Sequence, residues 1–211
     1  MAKKERDAHL ESLKLKNGKG NKGSIKFIDF VRVYFKEYAI PELSPTTVRD
    51  DKTALRNYVL PEIANMQLNK IDVLVIQRII NNLKERDRQR PDKDGNIIKL
   101  SSSSVNNVYR LLRKILNKAV SWDFISENPV LKVKAPGIDK KEKSSYNREQ
   151  LIEVLDVLKS TDIKTEAMFN IVICTGLRRE ELLGLHINDI DFDNNFVYVK
   201  RAVIWDDEKK K

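Results

Sequence analysis

Six apolar residues, Val105, Val108, Leu112, Ile115, Leu116 and Ala119, recur every three or four positions behind the serines at 101 to 104. A pattern of that period admits an amphipathic helix and no strand, and the serines open it as caps. One such stripe must be buried against others, and three preceding segments supply them. Phe27, Ile28, Val31, Tyr34, Phe35 and Tyr38 repeat at helical spacing from a cap at Ser24 until Pro41. Ser44-Pro45 then opens a second helix with Val48, Leu55 and Tyr58 on one face, closed by Pro61. Asp72 caps a third with Leu74, Ile76, Ile79, Ile80 and Leu83 inward, running out into a charged, turn-rich loop from Arg86 to Gly95. The expectation is a small all-helical bundle with one polar, basic face.

That face is where charge matters. The chain of 211 residues carries a net charge of +9, unevenly placed. Residues 1–23 hold 7 basic and 3 acidic side chains, 24–128 hold 18 and 13, 129–145 hold 5 and 2, and 146–211 hold 10 and 13. The basic excess stops at about Tyr146, so two modules of different chemistry are expected: a helical domain at 24–128 and a second module at 146–211. The first 23 residues form a basic arm with little apolar content. The stretch 129–145, with two prolines, a glycine and several lysines, is expected to be the linker.

Opposite the buried stripe, the fourth segment presents Ser103, Asn106, Arg110, Arg113 and Asn117, with Lys114 beside them. The second presents Thr46, Thr47, Arg49, Lys52 and Arg56. Asn and Arg can hydrogen-bond base edges, while Ser, Thr, Lys and Arg hold phosphates. A solvated face on an ordinary bundle is the bland alternative. Two basic helix faces flanked by a basic arm and a basic linker favour double-stranded nucleic acid, bound by Thr46, Thr47, Lys52, Arg56, Ser103, Asn106, Arg110, Arg113 and Lys114.

Other classes recede. No apolar run approaches the roughly 18 residues of a membrane span, and Met1-Ala2-Lys3-Lys4-Glu5-Arg6 leads into charge rather than an export signal. One cysteine, Cys174, allows no internal disulfide, and two histidines leave too few soft ligands for zinc. A cytoplasmic protein without metal or cofactor is expected.

The second module carries the sharpest motif. Asn147 caps a helix with Leu151, Ile152, Leu155 and Leu158 as its buried stripe, and another helix from about Lys164 runs into Cys174-Thr175-Gly176-Leu177-Arg178-Arg179-Glu180-Glu181-Leu182-Leu183-Gly184-Leu185. Asp189 to Asn195 reads as a turn and Phe196 to Val199 as the first strand of a small sheet. Arg178 follows a glycine turn at a helix start, and Glu181, three residues on, shares its face and can orient it. A guanidinium so placed can hold a phosphate bidentately, although an ordinary exposed Arg-Glu pair looks the same in isolation.

Thr175-Gly176-Leu177-Arg178-x-x-Glu181-Leu182-x-Gly184-Leu185, followed by Asn188-Asp189-Ile190-Asp191, resembles the first catalytic box of the tyrosine site-specific recombinases, the phage and conjugative-transposon integrases. Upstream, Thr46-Thr47-Val48, Leu60-Pro61, Leu68, Ile71, Ser103 to Asn107, Leu116 to Ala119 and Asn128-Pro129 resemble the helical core-binding domain of that family, so the likeness runs from about 24 to 205. It implies a mainly α chain: a SAM-like core-binding domain, then the N-terminal part of a mixed α/β catalytic domain, clamping DNA together. It also implies that Arg178 binds the scissile phosphate with Glu181 in support, and that other protomers assemble on the DNA. The family's lysine, its His-x-x-Arg or Lys-x-x-Arg box and its nucleophilic tyrosine lie farther downstream. The resemblance therefore implies a chain cut before the catalytic tyrosine and catalytically incomplete alone, with a non-catalytic regulator occupying recombination sites as the alternative.

Overall fold

The computed structural model describes residues 25–87, 95–139 and 145–204, and its contacts divide the chain into two units, Met1–Lys140 and Lys141–Lys211. The basic arm, the Ser24 cap, most of the Arg86 to Gly95 loop and part of the expected linker lie outside the described residues. In the first unit, α1 (27–42) and α2 (45–63) are each interrupted by one π turn, at Phe35–Ala39 and Leu55–Val59. Both π turns precede a proline expected to end its helix, and each helix instead runs past it, to Glu42 and Ile63. Proline lacks an N–H and its ring crowds the carbonyl four residues back; widening the preceding turn relieves the clash without stopping the helix. The leading N–H groups of α1 find partners across the bundle, Phe27 N donating to Met66 O (2.8 Å) and Ile28 N to Ala64 O (3.0 Å).

Helix α2 starts where Ser44 Oγ accepts from Thr47 N. Helix α3 (Val73–Glu85) is capped by Asp72, whose Oδ1 accepts from Val75 N at 2.9 Å. Helix α4 (Ser102–Ser121) is capped by Ser101. Ile76, Ile79, Ile80 and Leu83 are buried, but Leu74 is 72% exposed. Two residues before Ile76 it sits about 200° round the helix, on the outer face. All six stripe residues of α4 are buried, against Phe27, Phe30, Tyr34, Leu55 and Ile63 among others. Phe30 meets Phe124 edge-on with ring centroids 5.1 Å apart.

The segment expected to be a free linker from 129 is for its first eleven residues a strap on α4. Pro129–Lys132 forms a 3-10 turn capped by Asn128, and Val130 and Val133 enter the core. Asn128 Nδ2 donates to Arg113 O (3.0 Å) and Asn117 Oδ1 (2.7 Å), and Tyr109 Oη reaches Val133 O (3.1 Å). Asn106 Nδ2 donates to Pro136 O (2.7 Å), and Asp139 N to Ser102 Oγ (3.1 Å). Residues 102, 106, 109, 113 and 117 form one line along a helix, and Asn128 with the strap bonds along it, at Arg113 through the backbone carbonyl alone, so the Arg113 side chain stays exposed. Apolar residues in an otherwise lysine-rich stretch cause the difference: burying Val130 and Val133 outweighs the solvation of Lys132 and Lys134.

In the second unit, α5 (Arg148–Leu158) opens on a reciprocal cap between Asn147 and Gln150. Asp162 caps α6 (Ile163–Thr175), and α7 (Arg179–Leu183) follows. Strands β1 (Ile190–Asp191) and β2 (Phe196–Val197) pair antiparallel, Ile190 opposite Val197. Phe196 therefore begins the second strand, and the first lies inside the stretch expected as a turn. The Asp191 carboxylate forms the turn itself, accepting from Asp193 N and Asn194 N. Among the described residues of this unit Leu158 is the single buried hydrophobic side chain. Elsewhere on the expected stripe of α5, Leu151 and Leu155 are half-buried and Ile152 is half exposed, and α6 buries no residue although most of its side chains from Ala167 onward are apolar. A helix of that composition belongs in an interior.

Candidate functional site

Once the strap has taken one stripe of α4, a second remains open. A groove of about 520 Å³ runs along it, lined by Tyr38, Arg110, Arg113, Lys114, Asn117, Lys118 and Ser121. Among the described residues four cations line it and no carboxylate does. Lys118 Nζ lies 3.8 Å from the centroid of the Tyr38 ring, a cation–π contact that fixes a charge on a flexible stem. On the other side of Arg110 and Lys114 a second groove faces α2, but Asp50 and Asp51 line it. Lys114 Nζ pairs with Asp51 Oδ2 at 2.5 Å, both groups partly buried. A polyanion is attracted to the first groove and opposed in the second.

The residues expected to touch nucleic acid distribute accordingly. Arg110 and Arg113 are exposed and line the all-basic groove. Ser103, Lys52 and Arg56 are exposed, Lys52 Nζ standing 5.8 Å from the Phe35 ring centroid. Thr46 and Thr47 are half-buried, and the Thr47 hydroxyl is 2.9 Å from Ser44 Oγ in the cap of α2. Asn106 lies under the strap with its amide donating to Pro136. Lys118 and Tyr38 were not singled out, because helical periodicity shows which residues face outward but not which of them the chain covers. Their aromatic–Lys pairing crosses two helices and has no local signature.

The arginine box is built on a sharp reversal. Gly176 ends α6 at φ +67°, the left-handed conformation glycine adopts without strain. The chain turns through Leu177, and Arg178 becomes the N-cap of α7. Glu181 Oε2 accepts from Arg178 N (2.9 Å) and Oε1 from Arg178 Nη1 (2.9 Å). The side chain of Arg178 is 81% exposed and that of Glu181 22%. A half-buried carboxylate thus clamps both backbone and guanidinium, leaving the other guanidinium N–H donors open to a phosphate. The bond from Arg178 N, then that from its guanidinium, holds the Glu181 carboxyl below the usual carboxylate range.

Asp189, expected as a turn residue, is a buried anchor. Its side chain is 3% exposed and faces Arg201 Nη1 (2.9 Å) and Lys200 Nζ (3.2 Å). Oδ2 accepts from His186 N (3.0 Å), the main cause that lowers this carboxyl, with Lys200 and Arg201 reinforcing it. Lys200 is thus engaged as a partner of Asp189. The clamp fixes the chain after β2 against α7: Val203 N donates to Glu180 O (2.9 Å), and a β-carbon at Gly184 would lie 2.8 Å from Arg201 O.

A depressed carboxyl stabilises the fold above its ordinary pKa and ceases to do so as pH falls through its lowered value. On acidification the amide resonances of Arg178 and His186 should hold their positions through the ordinary carboxylate midpoint of about 4. They should shift only at lower pH, when Glu181 and Asp189 take up protons. Midpoints at or above 4 in an NMR titration would contradict both clamps.

Two stretches of the chain match known families: residues 26–84 match the phage integrase N-terminal SAM-like domain, and residues 144–211 match the phage integrase family. A tyrosine recombinase XerC-like protein of Caldanaerobacter subterraneus subsp. tengcongensis is 26% identical over 182 residues, 83% of this chain and 43% of that protein. Tyrosine recombinase XerA of Saccharolobus solfataricus is 25% identical over 189 residues, 86% of this chain and 61% of its own length. The chain thus spans about half the length of these relatives. Among solved structures, the Tn1549 transposon integrase in complex with circular intermediate DNA superposes with a TM-score of 0.68 at 19% identity, covering 86% of this chain and 56% of that one. A lambda integrase tetramer bound to a Holliday junction gives 0.66 at 15% identity, covering 84% and 48%. At such identities the likeness is one of fold.

Proposed function

Because the chain belongs to the tyrosine recombinase family of phage integrases, we propose that it grips duplex DNA through its first unit and, in the complete recombinase, supplies the phosphate-binding arginine of strand exchange. The observation that carries this reading is the Arg178–Glu181 clamp, an exposed guanidinium oriented by a half-buried carboxylate directly after a glycine turn. Attack by a tyrosine oxygen on a phosphodiester builds negative charge on the nonbridging oxygens. A preorganised planar donor stabilises that charge as it forms. The new P–O bond to tyrosine replaces the bond to the 5′ oxygen, which leaves with a proton, and the stored phosphodiester later rejoins a second strand. Double-stranded DNA and further recombinase protomers are the partners, the setting is a mobile element's integration or excision, and the compartment is the cytoplasm.

The all-basic groove on α4 supports the DNA half of this reading. A polypeptide of these 211 residues should retard duplex DNA in a gel. With three to four phosphates neutralised by Arg110, Arg113, Lys118 and the half-engaged Lys114, log K should fall against log salt with a slope of about −3. Binding insensitive to salt, or absent at low salt, would refute the assignment.

A further inference from the structure

Along the basic stripe of α4, Arg110, Lys114 and Lys118 follow one another at four-residue intervals, so their stems lie one above the next on a single face. The two lysines of this row are held in opposite ways. Lys118 Nζ lies over the face of the Tyr38 ring, and a ring fixes an ammonium without cancelling its charge. Lys114 lines both grooves, but its Nζ donates across to α2, to Asp51 Oδ2 at 2.5 Å. A carboxylate does cancel the charge, and this pair is sheltered, with the Lys114 side chain 32% exposed and that of Asp51 13%. Salt screens such a pair less than one in open solvent. Asp50, the preceding residue, lines the same groove but stands apart from the pair: its Oδ1 faces Arg49 Nε at 3.3 Å and its side chain is 68% exposed.

We propose that Asp51 sets how tightly the first unit holds duplex DNA, by withholding Lys114 from the phosphates that the rest of the row attracts. The inference rests on the DNA-binding reading above and names a residue inside it that works against binding. A phosphate that enters the groove beside Lys114 must take the ammonium from a carboxylate already in contact, so one ion pair is exchanged for another and little is gained. Lys118 offers its charge at no such loss. Phosphate contacts carry no sequence information. Holding back the middle cation of the row therefore trims attraction to any duplex and leaves the grip to Arg110, Arg113 and Lys118.

The test uses the full 211-residue chain in two measurements. In the first, without DNA, brief acetylation is read by peptide mass spectrometry: Asp51→Ala should speed modification of Lys114 several-fold and leave Lys118 unchanged. In the second, with duplex DNA, Asp51→Ala should bind about five- to tenfold more tightly at about 0.1 M salt, and log K should fall more steeply with log salt by about 0.9, the increment of one further phosphate contact. Adding Lys114→Met to Asp51→Ala should take that gain away. Asp50→Ala changes the net charge equally without freeing Lys114, so it should leave acetylation of Lys114 as it was and move the salt slope far less. Alanine suits a helix interior. Asp51→Asn, which keeps the shape of the side chain, should move both measurements the same way by less. If the parent chain fails to bind DNA, the DNA-binding reading falls and takes the proposal with it, whatever the acetylation shows. If the parent binds as expected, but Asp51→Ala leaves affinity unchanged, weakens it, or raises it no more than Asp50→Ala does, the proposal alone is overturned.

Discussion

Replacing Arg178 by alanine in a recombinase that carries the family's nucleophile should lower the rate of covalent protein–DNA adduct formation by about 10²–10³, the scale of losing one preorganised donor to a developing oxyanion. The reason is local. The clamp by Glu181 holds the guanidinium before any phosphate arrives, so its orientation is not acquired during the reaction. Arg178→Lys should recover part of the loss, because the charge stays while the planar fork is gone. DNA affinity, which the proposed function assigns mainly to the first unit, should change little. A nicked suicide substrate resolved on a denaturing gel measures the adduct directly. Equal trapping by the alanine variant and the parent would remove Arg178 from the mechanism, and with it the functional reading of the box.

The second large effect concerns grip rather than chemistry. Arg110→Ala combined with Arg113→Ala should weaken DNA binding by about a hundredfold at moderate salt, at roughly 1–3 kcal/mol per contact. The salt slope should shrink by about 2 as two phosphate contacts vanish. Asn106→Ala is the contrasting case: its amide already donates to Pro136 O, so affinity should be nearly unchanged while the strap loosens. Both measurements come from one titration series. If Asn106→Ala proves as damaging as the double arginine substitution, DNA is bound by the strap side of α4 and the open groove is not the interface.

Those contrasts mark where sequence reasoning reached its limit. The stripes of α1 to α4 were legible, Leu74 apart, because they share one buried core, and burial enforces the period. Pro41 and Pro61 misled because the rule for proline assumes an α-helical turn ahead of it, whereas a π turn makes room. The linker misled for a different reason. Proline, glycine and lysine counted toward solvent, while Val130 and Val133, the residues that decide the matter, are only two among many. Arg178 and Glu181 were visible because their relation spans three residues of one helix. Asp189 was hidden, since its partners Lys200 and Arg201 lie beyond the hairpin and its own neighbourhood is rich in turn formers. The second unit shows a further limit. Leu151 to Leu158 has the period of a covered helix, but the residues described here bring too little apolar surface to cover it.

The strap also dictates where this protein can be cut and rejoined. A chimaera that grafts a different effector after residue 128 would discard Val130 and Val133 and strip Tyr109, Asn106 and Ser102 of their partners, opening a slot along α4. One joined after 139 inherits the complete helical unit. The modular junction therefore lies about eleven residues later than the composition of the chain suggests, and libraries of swapped effectors should be built on that seam.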